Sequence, residues 1–134
     1  MRLNQVTVAA HDLEASYVFY RSLGLRPIVK SSHYARFVCP DGGSTFSIHA
    51  SEVAAGDAIT VYFECGDLDA TLRDIAAKGI VPESAPVAQR WLWREAYLRD
   101  PTSNRICLYH AGENRLNPPW RLAADETKPL KSAT

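Results

Sequence analysis

Asp12 and Asp67 stand 55 residues apart, and the residues around each of them match at the same offset. Residues 3–10, LNQVTVAA, alternate as a strand does. Asp12 follows as a helix N-cap, because its carboxylate can accept the free amide groups of a first turn. Leu13, Tyr17 and Tyr20 recur at helical spacing, and Gly24 stops the helix where a left-handed residue is wanted. In the second copy residues 59–65 are the strand, Asp67 the cap, and Leu68, Leu72 and Ile75 the apolar stripe. Gly79 is the stop, and Pro82 matches Pro27. A chain that repeats cap, stripe, terminator and proline together is an internal duplication. With only two units it is a paired domain and not a solenoid.

Three extended stretches follow each helix. In the first half they are residues 25–30, 34–39 and 44–50, with Pro40-Asp41-Gly42-Gly43 as a hairpin turn between the last two. In the second half they are residues 80–83, 93–99 and 105–110, with residues 100–104 as the corresponding turn. Each copy is therefore βαβββ. The expected fold class is α+β: two tandem βαβββ modules forming a cupped mixed sheet with helices on its outer face. One domain is expected over residues 1–111, with modules at 1–50 and 58–110. Residues 112–134 form a tail containing Pro118-Pro119-Trp120, whose last ten residues are expected to be mobile.

Composition narrows the functional classes. The 134 residues suit a single domain, and 46% hydrophobic content supports a real core. The 15 basic and 15 acidic residues cancel, with no basic run. No nucleic-acid partner is expected, and no membrane-surface partner. No apolar stretch approaches the ~20 residues that span a bilayer. The N-terminus, MRLNQVTVAAHDLE, does not read as a signal peptide. Cys39, Cys65 and Cys107 are odd in number, widely spaced and set in apolar runs. They read as reduced thiols in a cytoplasmic protein, and no CxxC pair is present.

Alternation assigns faces to the strands that flank each module. Val6, Val8, Phe46 and Ile48 point one way in the first copy, and Ile59, Val61, Phe63, Ile106 and Leu108 in the second. These must cover the helices. The other faces carry Gln5, His49, Thr60, Tyr62, Glu64, Arg105, Cys107 and Tyr109. A plain solvated face would show more Lys and Glu. Two tyrosines, a thiol and an imidazole among a few polar groups describe a ligand wall instead.

LNQVTVAAHDLEASYVFYRSLGL, FECGDLDATLRDIAAKGI and YLRDPTSNRICLYHAGENR together resemble the vicinal oxygen chelate superfamily. That superfamily includes glyoxalase I, fosfomycin and bleomycin resistance proteins and extradiol dioxygenases. The resemblance covers residues 1 to 111. It implies two metal ligands from each module, one on its first strand and one on its last. Such a metal acts as a Lewis acid on two adjacent substrate oxygens. Carried over by position, the four places are Gln5, His49, Thr60 and Cys107. Gln5 fits; His49 and Cys107 stand where Glu is usual, and Thr60 where His is usual. A set of one imidazole and one thiol suits a zinc-like divalent ion, or none. Only one His survives at these places, which argues against extradiol chemistry.

The expected site is then Gln5, His49 and Cys107 as metal ligands and Glu64 as catalytic base or substitute carboxylate. Thr60, Tyr62, Arg105, Tyr109 and Trp93 would line the ligand pocket. Structural alternatives stand beside these roles: Glu64 paired with Arg105 across strands, Cys107 as a small buried hydrophobe, and the Trp91–Glu95 segment as a hairpin anchor. The expected protein is a homodimer that binds a small oxygenated or aromatic molecule. It acts either as a divalent-metal lyase or isomerase, or as a metal-free sequestering protein.

Overall fold

A computed structural model describes residues 1–129. The elements run β1 (Gln5–Ala10), α1 (Leu13–Ser22), β2 (Arg26–Lys30), β3 (Tyr34–Val38), β4 (Thr45–Ala50), β5 (Thr60–Glu64), α2 (Leu68–Ala77), β6 (Val87–Ala88), β7 (Arg94–Arg99) and β8 (Arg105–His110). A 3-10 helix, Gly112–Arg115, follows. The expected mobile C-terminus falls partly on residues 130–134, outside the described residues.

The local chemistry read from the sequence forms these elements. Asp12 Oδ1 accepts from the Ala15 amide at 3.0 Å, and Asp67 Oδ1 from Ala70 at 3.0 Å. Each carboxylate satisfies an amide that the first turn leaves free. Gly24 follows α1 at φ +102°, a conformation that costs a side-chain-bearing residue about 1–2 kcal/mol.

Each module folds into its own four-stranded sheet, in the order β1-β4-β3-β2 and β5-β8-β7-β6. The first and last strands of a module pair in parallel, and the others antiparallel. The two sheets are not joined by a ladder, so within one chain the eight strands do not close into one cup. One stretch departs from expectation. Residues 80–83 form no strand, and the edge partner of β7 is the two-residue β6 instead. Pro82 and Pro86 have no amide to give a ladder, so Glu83 makes an isolated bond to β7, its amide donating to the Tyr97 carbonyl at 2.9 Å, and the two-residue ladder forms beyond Pro86. Pro27 is tolerated inside β2 because β2 is the sheet edge, and the pairing is irregular beside it.

One core serves both modules. Ala10, Tyr20, Phe37, Phe46 and Ile48 from the first pack with Leu68, Ile75, Leu98, Ile106 and Leu108 from the second. Phe46 meets Phe63 edge-on, with ring centroids 5.5 Å apart. A buried polar clamp runs beside this contact. The Tyr20 hydroxyl donates to Asp100 at 2.6 Å, and Asn104 Nδ2 donates to the Ala9 carbonyl at 2.8 Å. The His11 amide donates to Thr102 Oγ1 at 2.9 Å. The Arg-Asp-Pro-Thr-Ser-Asn turn is therefore the fitting that holds module to module.

Candidate functional site

With the apolar faces spent on the core, each sheet has one face left. Strand register sets what stands there. On the second sheet Thr60, Tyr62 and Glu64 lie beside Arg105, Cys107 and Tyr109 of β8, which lie beside Arg99, Tyr97 and Glu95 of β7. Trp93 stacks on Tyr109 with centroids 4.5 Å apart and planes 15° apart. Tyr62 meets both rings edge-on, at 5.9 and 5.7 Å. Tyr62 stays 45% exposed whereas Tyr109 is buried. The cluster is thus a fixed aromatic wall with one ring presented to solvent.

Beside it on the same face lie Cys107, an expected ligand, and Glu95 and Tyr97, which stand outside the expected site residues. Glu95 is buried, and its carboxylate accepts from Tyr97 Oη at 2.9 Å and Trp91 Nε1 at 3.0 Å. Burial, then hydrogen bonding with Tyr62 and Glu95, pushes the Tyr97 phenol well up. Cys107 is fully buried, and its thiol is pushed up to about 12 by burial and then by the Glu95 charge. The arginine expected to pair with Glu64 does something else: the Arg105 guanidinium sits 4.4 Å over the Tyr97 ring.

Glu64 is engaged from the other side. Its Oε2 accepts the amides of Ala111 and Gly112, each at 2.9 Å, at the start of the 3-10 helix. Arg115 Nε stands 3.6 Å from Oε1. Glu64 thus latches the segment after β8 onto the aromatic wall, and its partner is Arg115 rather than Arg105.

Two concavities flank this wall. One, of about 750 Å³, is lined by both modules: Leu25, Cys39 and Asp41 from the first face Tyr62, Glu64 and Tyr109 from the second. The other, of about 440 Å³, lies between Leu92, Trp93, His110 and Asn114. Gln5, His49, Thr60, Cys107 and Arg105 line neither. Trp120 is mostly exposed and lines neither.

Of the residues carried over as metal ligands, Gln5 and His49 are not brought together. Gln5 pairs laterally with Thr45, and His49 with Ala9, so Gln5 and His49 lie four residues apart along their strands, about 13 Å. The module equivalent of Cys107 is Ser47, because β4 and β8 pair with matching residues of β1 and β5 at Thr7↔Ser47 and Tyr62↔Cys107. By the same alignment His49 corresponds to Tyr109. Helix and first strand repeat at an offset of 55, but β4 and β8 repeat at 60, and sequence spacing alone does not show that slip.

The donor chemistry does not fit a divalent metal either. Gln5 Oε1 already accepts from Thr45 Oγ1 at 2.7 Å. Thr60 offers a neutral hydroxyl, a weak ligand for a divalent cation, and Cys107 is fully buried. Among the described residues no three His, Cys, Asp or Glu side chains gather.

The comparisons agree with the architecture. The family model described as Glyoxalase/Bleomycin resistance protein/Dioxygenase superfamily matches residues 2–108. A glyoxalase/bleomycin resistance protein/dioxygenase from Nocardioides is 22% identical with a TM-score of 0.73, over 92% of this chain and 90% of that one. A bleomycin resistance determinant encoded on transposon Tn5 is 18% identical, with a TM-score of 0.69 over 82% and 98%. Lactoylglutathione lyase from Agrobacterium tumefaciens is 21% identical, with a TM-score of 0.66 over 81% and 92%. No curated protein sequence matches the chain.

Proposed function

The chain belongs to the glyoxalase/bleomycin resistance protein/dioxygenase superfamily, and from that premise we propose that it is a metal-independent binding protein for a small oxygenated aromatic molecule. The observation that carries this reading is the Tyr62–Trp93–Tyr109 cluster. Its rings are held by stacking and edge contacts, and two of them border a groove of about 750 Å³. A rigid aromatic wall beside a wet groove gains stacking energy from a planar ligand at little ordering cost.

The lyase or isomerase alternative asks for a ligand set and a free base. Gln5 and His49 stand apart along the first sheet, and Glu64 already holds two amides and faces Arg115. A superfamily member from transposon Tn5 is a bleomycin resistance determinant, which makes sequestration a natural role for this fold. The three cysteines are all free thiols, in keeping with a reducing cytoplasm. The working unit in this proposal is a homodimer.

Intrinsic fluorescence tests the reading. Bleomycin and a panel of small phenols and heteroaromatic acids are titrated into protein held in a chelator. A member that quenches tryptophan emission with the chelator present, and binds at least ~10-fold more weakly to Trp93→Ala, supports it. Binding or turnover that appears only on adding a divalent metal would overturn it.

A further inference from the structure

The face that the first sheet leaves free is built differently from the aromatic wall. By register it carries Gln5 and Thr7 on β1, Thr45, Ser47 and His49 on β4, Tyr34 and Arg36 on β3, and Arg26 on β2. It holds two arginines and no carboxylate. On the second module Arg94, Arg99 and Arg115 each meet an acid, and Arg105 lies on an aromatic ring. Arg36 has no acid among the described residues.

Its side chain is nevertheless fixed. Arg36 Nε donates to Tyr34 Oη at 2.9 Å, and its guanidinium carbon stands 5.5 Å from the centroid of the Tyr34 ring. Tyr34 Oη is in turn 2.6 Å from Ser47 Oγ, and Ser47 is fully buried. A bond at Nε sets the guanidinium plane and leaves the outer N–H groups unengaged. A cation held in place by neutral partners, with its fork open and no acid nearby, lacks the partner it is shaped for.

We propose that this face is an oxyanion subsite. The outer nitrogens of Arg36 take a carboxylate or phosphate group in a two-pronged grip, and the Tyr34 hydroxyl adds a further donor. The Ser47 hydrogen bond, and after it Arg36, hold the Tyr34 phenol below its usual range, which makes it a stronger donor to an anion. The subsite stands on the first module alone and does not rest on the aromatic-binding reading. Where both hold, the ligand is an aromatic molecule that carries an acidic oxygen group.

Inorganic phosphate and benzoate, titrated separately into the full chain, test this by calorimetry and by amide chemical shifts. At least one anion is expected to bind, with shifts centred on β3 and β4. Tighter phosphate points to a tetrahedral group and tighter benzoate to a planar carboxylate. Arg36→Gln is expected to weaken binding at least ~10-fold, and Arg36→Lys, which keeps charge but loses the fork, several-fold. Arg73→Gln, an exposed change on α2, is expected to leave affinity unchanged. If Arg36→Gln fails to fold by circular dichroism, Tyr34→Phe takes its place, with a loss of a few-fold expected. The proposal is overturned if neither anion binds at tens of millimolar, if Arg73→Gln weakens binding as Arg36→Gln does, or if Arg36→Lys or a folded Tyr34→Phe binds like wild type.

Discussion

The Tyr20 hydroxyl ties α1 of one module to Asp100 of the other. Asp100 also accepts from the amides of Thr102 and Asn104 and from Asn104 Nδ2, all within 2.9 Å. Tyr20→Phe keeps the packing and removes one charge-assisted bond, so a loss of about 1.5–3 kcal/mol is expected in urea unfolding. Ser16, four residues earlier on the same helix, is fully buried, and its hydroxyl has no partner among the described residues. Ser16→Ala should therefore stabilise the protein, by about 1 kcal/mol in the same assay. Cys107 gives a pH signature. Its folded thiol titrates at about 12, against 9.0 ordinarily. Above pH 9 the unfolded chain gives up a proton that the folded chain keeps, so alkali favours unfolding. The Cys107 contribution is intact below pH 9 and is lost progressively from 9 to 12. Urea midpoints between pH 8 and 11 should fall less steeply for Cys107→Ala than for wild type; equal slopes would place the thiol in a wetter setting.

Most elements were legible because their signals are local. A capping aspartate, an apolar stripe and a glycine stop are chemistry that a helix needs whatever surrounds it, and both helices start where Asp12 and Asp67 put them. The second module's edge strand was not legible: its pairing depends on which amides survive between Pro82 and Pro86, and on where β7 passes. The turn after β7 reads in the sequence as a hairpin turn, but its side chains also span the modules, a fact of packing that spacing cannot carry. One residue in that turn is strained. Ser103 is exposed and sits at φ +70°, where a Cβ is disfavoured. Ser103→Gly should relieve about 1 kcal/mol and raise Tm by a few degrees; a lower Tm would show that the Ser103 side chain is needed in the clamp.

At the scale of the molecule the candidate site was half legible. Alternation placed Tyr62, Glu64, Cys107 and Tyr109 on one face, as register confirms. It also placed Gln5 and His49 on one face, but not how far apart along it. Tyr34 and Arg36 were open to the same alternation, since β3 reads Tyr-Ala-Arg-Phe-Val with Ala35 and Phe37 in the core. What no strand pattern gives is the relation between the two leftover faces. Within one chain both modules turn their apolar faces into a shared core, and the sheets stay separate. The aromatic face and the polar face therefore need something else to meet. A second copy of the chain would let them meet. Ile28, Val29, Ile59 and Tyr62 lie open on or beside the sheets. Two-fold pairing would set the polar face of one copy against the aromatic face of the other and cover such residues twice over. Sedimentation equilibrium is expected to give a homodimer whose interface buries at least ~1,600 Å². A Tyr62→Asp change should weaken it, by placing a charge where the partner must exclude water. A single monomeric species at every concentration would leave each face to bind its ligand alone.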